Sequence, residues 1–161
     1  MNDFLEMSKI WIKESNLIEG IDNKDEDYRS VEAWKKLTEE KELTIKAIKD
    51  CHWDIMNKLN PLIAGDFRKC NVRVGDHVCP AWKQVPNHIK KWFGSYANER
   101  TKSGIIKAHI RFEWIHPFED GNGRVGRMIM NYQLFKNNLD IICIYAQGRK
   151  EYYKWFKSLT G

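Results

Sequence analysis

Twelve residues, His116–Arg127 (HPFEDGNGRVGR), constrain this chain more than any other stretch. Upstream of them, Ile105, Ala108, His109 and Phe112 recur at helical spacing, which predicts a helix over about Ser103–Ile115. Pro117 disfavours the α conformation at His116 and ends that helix. Downstream, Val125, Met128, Ile129, Tyr132 and Phe135 predict a second amphipathic helix that starts near Gly123 or Arg124. Residues 103–138 therefore read as a helix–loop–helix. Its loop delivers backbone N–H groups at the positive end of a helix, which is an anion site.

The loop residues carry the parts needed for attack on a phosphate. Gly121 and Gly123 let a ligand approach the backbone closely. Asn122 between them can donate its amide, and the Gly-Asn-Gly backbone can form an anion-binding nest. Arg124 and Arg127, three apart, share a helix face and can grip successive phosphates. Asp120 is a hard oxygen ligand of the kind that Mg²⁺ takes alongside substrate phosphates. His116 is the natural general base. Phe118 reads as a core anchor for the loop.

This stretch resembles the motif of the Fic (filamentation-induced-by-cAMP) family, HPFx[D/E]GNGRxxR, at every fixed position. The resemblance implies that His116 deprotonates a target hydroxyl, which attacks the α-phosphate of ATP. Asp120 would hold Mg²⁺, Gly121, Asn122 and Gly123 would cradle the α-phosphate, and Arg124 and Arg127 would hold the β- and γ-phosphates. Pyrophosphate leaves and the target protein carries AMP. Near the N-terminus, Ser15-Asn16-Leu17-Ile18-Glu19-Gly20 is similar to the inhibitory motif [S/T]xxxE[G/N] of the same family. The resemblance implies that residues 1–20 form an inhibitory helix whose Glu19, with Ser15 on the same side, pairs with Arg127 and takes it from the γ-phosphate.

Residues 65–80 (GDFRKCNVRVGDHVCP) change period: Cys70, Val72 and Val74 alternate with polar residues, Gly75-Asp76 turns, and His77-Val78-Cys79 returns. That pattern predicts a β-hairpin. It resembles the R-x-x-x-V-x-[IV]-G flap of Fic proteins through Arg68, Val72, Val74 and Gly75. The resemblance implies a flap over the active site on which a protein target docks by main-chain pairing.

Elsewhere the pattern is helical. The first helix is expected over about Asp3–Glu19, with Phe4, Met7, Trp11 and Ile18 inward. Asp22–Asp27 reads as an acidic linker. Further helices are expected at Tyr28–Leu37, Glu39–Leu59 (Ile48, Cys51, Ile55 and Leu59 inward), Pro86–Glu99 and Arg149–Leu159. Ile141–Tyr145 fits either a strand or a buried helical segment. His52 reads as a core or surface polar residue, and His109 as a buried, hydrogen-bonded one.

At 161 residues one domain is expected, and the fold implied is all-α, a Fic-type helical bundle with one small β-hairpin flap. No run of about 18 apolar residues occurs and the N-terminus lacks a signal-peptide core, so no membrane span and a cytoplasmic setting are expected. The four cysteines form no CxxC pair and read as reduced. The net charge of +5 is spread among acids, which argues for a solvated surface rather than nucleic acid.

Three functions compete. The first is adenylyl transfer from ATP to a Ser, Thr or Tyr hydroxyl of a protein, self-modification included. The second is another phosphate chemistry on the same scaffold, removal of AMP among them. The related Doc branch, which phosphorylates, carries lysine where this chain has Gly123. The third, a non-enzymatic basic binding protein, rests on charge alone.

Overall fold

The structure, a computed structural model, describes residues 2–159. Seven α-helices follow one another: α1 (Asn2–Ile18), α2 (Lys24–Glu39), α3 (Ile45–Met56), α4 (Val85–Tyr96), α5 (Lys102–Ile115), α6 (Asn122–Lys136) and α7 (Arg149–Tyr153). Between α3 and α4, β1 (Arg73–Val74) and β2 (His77–Val78) pair antiparallel, with Val74 opposite His77 and Arg73 opposite Val78. Among the described residues this hairpin is the only sheet, so the expected all-α fold with one β-hairpin is present.

The second helix of the motif stands at the centre. In α6 every residue from Arg124 to Leu134 is buried, so it is not the amphipathic helix that its spacing suggested. It touches α1, α2, α3 and α5. Such all-round burial favours polar side chains that find partners. Gln133 Nε2 donates to Tyr96 O at 2.8 Å. Asn131 donates to Ile142 O (3.1 Å) and accepts from Ile142 N (3.0 Å). That reciprocal pair holds residues 141–145 as an irregular strap, neither strand nor helix.

Aromatic packing fixes the outer helices on α6. Trp34 and Trp92 are almost fully buried, each contributing about 2–3 kcal/mol by leaving water. Trp34 lies edge-on to Trp11 at 5.1 Å, and its Nε1 donates to Ser8 Oγ at 3.0 Å, which ties α2 to α1.

Several boundaries differ from expectation. Lys24–Asp27 belong to α2 rather than to a linker, because Asn23 caps it, accepting from Asp25 N and Glu26 N, and acids suit a first helical turn. The helix expected over Glu39–Leu59 is cut: Glu39 ends α2 and Thr44 caps α3 through Ala47 N. Met7 and Leu59, expected inward, are exposed. The last helix tightens to 3₁₀ geometry over Lys154–Leu159.

Candidate active site

His116 caps α5 in the left-handed region, φ 51°, ψ 62°. Pro117 closes off the right-handed helix, and a non-glycine residue persists left-handed only where its surroundings hold it. Arg68 supplies that hold. Its Nε donates to His116 O at 2.7 Å, its guanidinium also reaches the carbonyls of Ile115, Cys70 and Pro80, and its own N–H bonds Pro117 O at 2.9 Å. One buried arginine thus ties both feet of the hairpin to the end of α5.

The imidazole itself is oriented for base chemistry. His116 Nδ1 lies 3.3 Å from Glu113 O, a carbonyl at the helix end, so Nδ1 carries the proton and Nε2 keeps its lone pair. Burial holds the His116 pKa below its usual value, with the Glu113 carbonyl opposing, so the ring is a neutral base near pH 7. The Glu113 carboxylate stands 3.9 Å from Nδ1. Burial pushes the Glu113 pKa up to about 7; Arg127 opposes this and Glu19 adds to it.

The loop beyond is fixed by its own side chains. Phe118, fully buried, stacks on His52 with ring centroids 3.8 Å apart. Gly65 N donates to His52 Nδ1 (2.9 Å), so Nε2 bears the proton and donates to Asp120 O (2.8 Å). Asn122 spends its amide on Phe118, accepting from its N–H and donating to its carbonyl, both at 2.8 Å. The Asn122 side chain is therefore a staple for the turn, and its backbone alone faces the cavity. Gly121 has φ 84°, and a Cβ there would press on Met56 and His52.

These pieces line a cavity of about 640 Å³ that gathers Glu19, His116, Asp120, Gly121, Asn122, Gly123 and Arg127 under Val74, Gly75 and His77 of the hairpin, with Tyr153 and Phe156 on the far wall. Val72 lies outside it, where its carbonyl accepts from Cys79 N at the hairpin's foot (3.3 Å). Arg124 also lies outside, 2% exposed against Met56, with Nε and Nη1 unpartnered.

Arg127 is held from both sides. Its Nη2 donates to Glu19 Oε1 at 2.7 Å and Ser15 O at 3.1 Å, and its Nε donates to Ser15 Oγ at 2.7 Å. From the other side Nη1 reaches Tyr152 OH (3.4 Å), which in turn contacts His109 Nε2 (2.7 Å). The Glu19 carboxylate sits where Gly123 has no side chain: a Cβ there would collide with Glu19 Oε1.

Asp120 is exposed at the cavity mouth, and its Oδ1 accepts from Gly121 N at 2.7 Å. No group of three or more His, Cys, Asp or Glu side chains able to hold a metal occurs among the described residues. A single hard carboxylate beside an anion nest fits Mg²⁺, which takes its remaining ligands from phosphates and water.

The structure brings Glu19, His116, Asp120, Gly121, Asn122, Gly123 and Arg127 to one cavity, with Ser15 bonded to Arg127. The Asn122 amide, expected to donate to a ligand, is turned to Phe118 instead. Glu113 was not expected at the site, although its place one turn before His116 was a readable signal. Nor were the packing of His52 under the loop and the contact of Tyr152 with Arg127, neither of which has a local sequence signature.

Comparison with known proteins agrees with this architecture. The Fic/DOC family model matches residues 42–134, more than half of the chain. Curated relatives named "Protein adenylyltransferase Fic" from Aedes aegypti and Drosophila ananassae are each 32% identical, over 71% and 75% of this chain. The chain spans about a quarter of their length (24% and 25%). A Fic-domain-containing signalling protein from Bacteroides thetaiotaomicron superposes with a TM-score of 0.75 at 19% identity, covering 95% of this chain and 70% of that one. Fic-1 from C. elegans gives 0.76 at 20%, covering 92% and 54%.

Proposed function

The chain belongs to the Fic/DOC family, and on that premise we propose that it transfers an adenylyl group from ATP to a hydroxyl of a protein target, restrained by its own Glu19. The observation that carries this reading is the cavity in which a neutral, Nε2-accepting His116 faces the Gly121–Gly123 backbone and Arg127.

In the reaction His116 Nε2 takes the proton of the target hydroxyl. The freed oxygen attacks the α-phosphorus, a new O–P bond forms, the bond to the β-phosphate oxygen breaks, and pyrophosphate leaves. Backbone N–H groups at the start of α6 hold the charge that develops on the α-phosphate oxygens. Arg127, once free of Glu19, supplies the fork for the far end of the triphosphate. Asp120 would hold Mg²⁺, whose contribution is to neutralise phosphate charge. Arg124 would reach the β-phosphate only by turning from Met56, and its two unpartnered nitrogens favour that turn. The hairpin would present Val74 and Gly75 to the target's backbone.

Inhibition follows from competition. A guanidinium that makes a bidentate pair with phosphate oxygens cannot at the same time keep its bond to Glu19. Glu19 is 38% exposed at its side chain whereas Arg127 is 3%, so the carboxylate is the partner that can leave.

The test is labelling with ATP carrying ³²P at the α-phosphate, with the protein itself and cell lysate as acceptors. Label should be weak with the unaltered chain, strong with Glu19→Gly, and absent with Glu19→Gly/His116→Ala. Absence of α-label throughout, with γ-label transferred instead, would replace this reading by phosphorylation.

A further inference from the structure

Next to the active cavity a second concavity, about 490 Å³, runs between α4 and α5. Its lining includes His88, Lys91, Lys107 and Arg111 and no carboxylate. Among the described residues Lys91, Lys107 and Arg111 belong to no ion pair. Cations on a protein surface are normally interleaved with acids, so an unbalanced cluster in a concave place concentrates positive potential. The cluster acts on its own member: burial first, then the charges of Arg111 and Lys91, holds His88 below the usual histidine pKa.

The groove joins the active cavity across one residue. Trp114 lines that cavity, carries Arg111 on its ring at 4.0 Å, and meets the His88 ring at 5.6 Å. The hairpin reaches the same residue, His77 Nε2 lying 3.0 Å from Trp114 O. Helices α4 and α5 run antiparallel, since His88 is beside Trp114 while Trp92 Nε1 bonds Ala108 O. The groove therefore leads away from the hairpin. From His88 to Ser95 it follows α4 for about 10 Å, room for about three residues of extended chain.

We propose that this groove binds an acidic stretch of the target polypeptide, adjacent to the residue whose hydroxyl is modified. The proposal rests on the adenylyl-transfer reading, because it is the target's backbone on the hairpin that would bring its neighbouring residues here. Charge complementarity selects acids, and continuity with the hairpin selects polypeptide. Nucleic acid fits less well: Trp92 is 2% exposed and Trp114 is covered by Arg111, which leaves half-buried Tyr96 as the groove's one tyrosine or tryptophan face, too little to stack successive bases.

The test is binding without nucleotide. Fluorescein-labelled peptides would carry one threonine with Glu-Asp-Glu-Asp before or after it. Lys-Arg counterparts and octauridylate serve as competitors, with fluorescence anisotropy as the readout. At least one acidic peptide should bind more tightly than its basic counterpart, with affinity falling as salt rises, and Lys91→Glu/Lys107→Glu should weaken it about tenfold or more. A thermal melt checks that this variant is folded, and Lys91→Gln/Lys107→Gln gives a milder version of the same loss. Equal binding of acidic and basic peptides, tighter binding of octauridylate, or indifference to both double substitutions would overturn the proposal. So would sedimentation showing that the substitutions dissolve a dimer, which would make the occupant a second copy. Because no transfer is read, acidic-peptide binding without labelling would leave the groove standing and remove the enzymatic reading. Labelling without acidic preference would do the reverse.

Discussion

Arg68 donates from Nε to the carbonyl oxygen of His116 at 2.7 Å, joining residues 48 apart in sequence. The bond lands on the residue whose left-handed backbone aims the imidazole. Arg68→Lys keeps the charge and loses the fork. We expect the maximal transfer rate to fall about tenfold or more with the KM for ATP little changed, and stability to fall by about 2 kcal/mol. Steady-state kinetics and urea unfolding check this. An unaltered rate would make Arg68 a structural strap alone.

Ser15→Ala removes the hydroxyl that accepts from Arg127 Nε. A buried hydrogen bond to a charged group contributes about 1.5–3 kcal/mol, part of which Ser15 O retains through Nη2. ATP affinity should rise about threefold to tenfold, and by less than in Glu19→Gly. Calorimetric titration of ATP into both variants measures the order.

Asn122 separates folding from binding. Asn122→Ala loses both bonds to Phe118 and should cost about 2 kcal/mol. Asn122→Asp keeps the acceptor for Phe118 N but adds negative charge to the nest. It should bind ATP less well than Asn122→Ala, although it too loses the bond that Asn122 donates to Phe118 O. The reverse ranking in ATP affinity would mean that phosphate does not sit on this turn.

Glu113 gives a pH signature. Its pKa is raised from 4.5 to about 7 by burial, so between those values the folded state keeps a proton that the unfolded state releases. Its contribution is full below pH 4.5 and is lost as pH rises through 7. His109 has the opposite sign: burial, with Arg127 adding to it, lowers its pKa from 6.5 to about 3, so its contribution is full above 6.5 and is lost toward acid. Glu113→Gln removes only the first. It should match the unaltered chain at pH 5 and exceed it by about 2 kcal/mol at pH 8, as urea unfolding at both values would read. A difference that does not grow with pH would return Glu113 to an ordinary ionised carboxylate.

Much of this site was legible because its parts are local. His116, Asp120 and the glycines lie within one loop, and the loop's neighbours announce their helices by period. The hairpin was legible through alternation around Gly75-Asp76. The pairing of Glu19 with Arg127 came from resemblance, since no local physics links residues 108 apart. What stayed hidden was tertiary. The spacing of α6 suggested a half-exposed helix, yet α1, α2, α3 and α5 cover it together. The amide of Asn122 looked free for a ligand because the carbonyl and N–H of Phe118 that occupy it are exposed as orphans only by the turn itself. The break between Glu39 and Ile45 depended on the Thr44 cap at the start of α3, which periodicity does not weigh.

Arg127 is touched by Ser15 and Glu19 near one end of the chain and by Tyr152 near the other. One guanidinium is thus a shared node between two segments that lie outside the residues matched by the family. By reciprocity of linked equilibria, a change at Tyr152 that restrains the Arg127 side chain shifts the pairing of Arg127 with Glu19. The reverse holds with the same free energy. On the proposed reading, in which Glu19 restrains transfer, sequence drift at either extremity would retune the basal rate while His116 and the loop stayed the same.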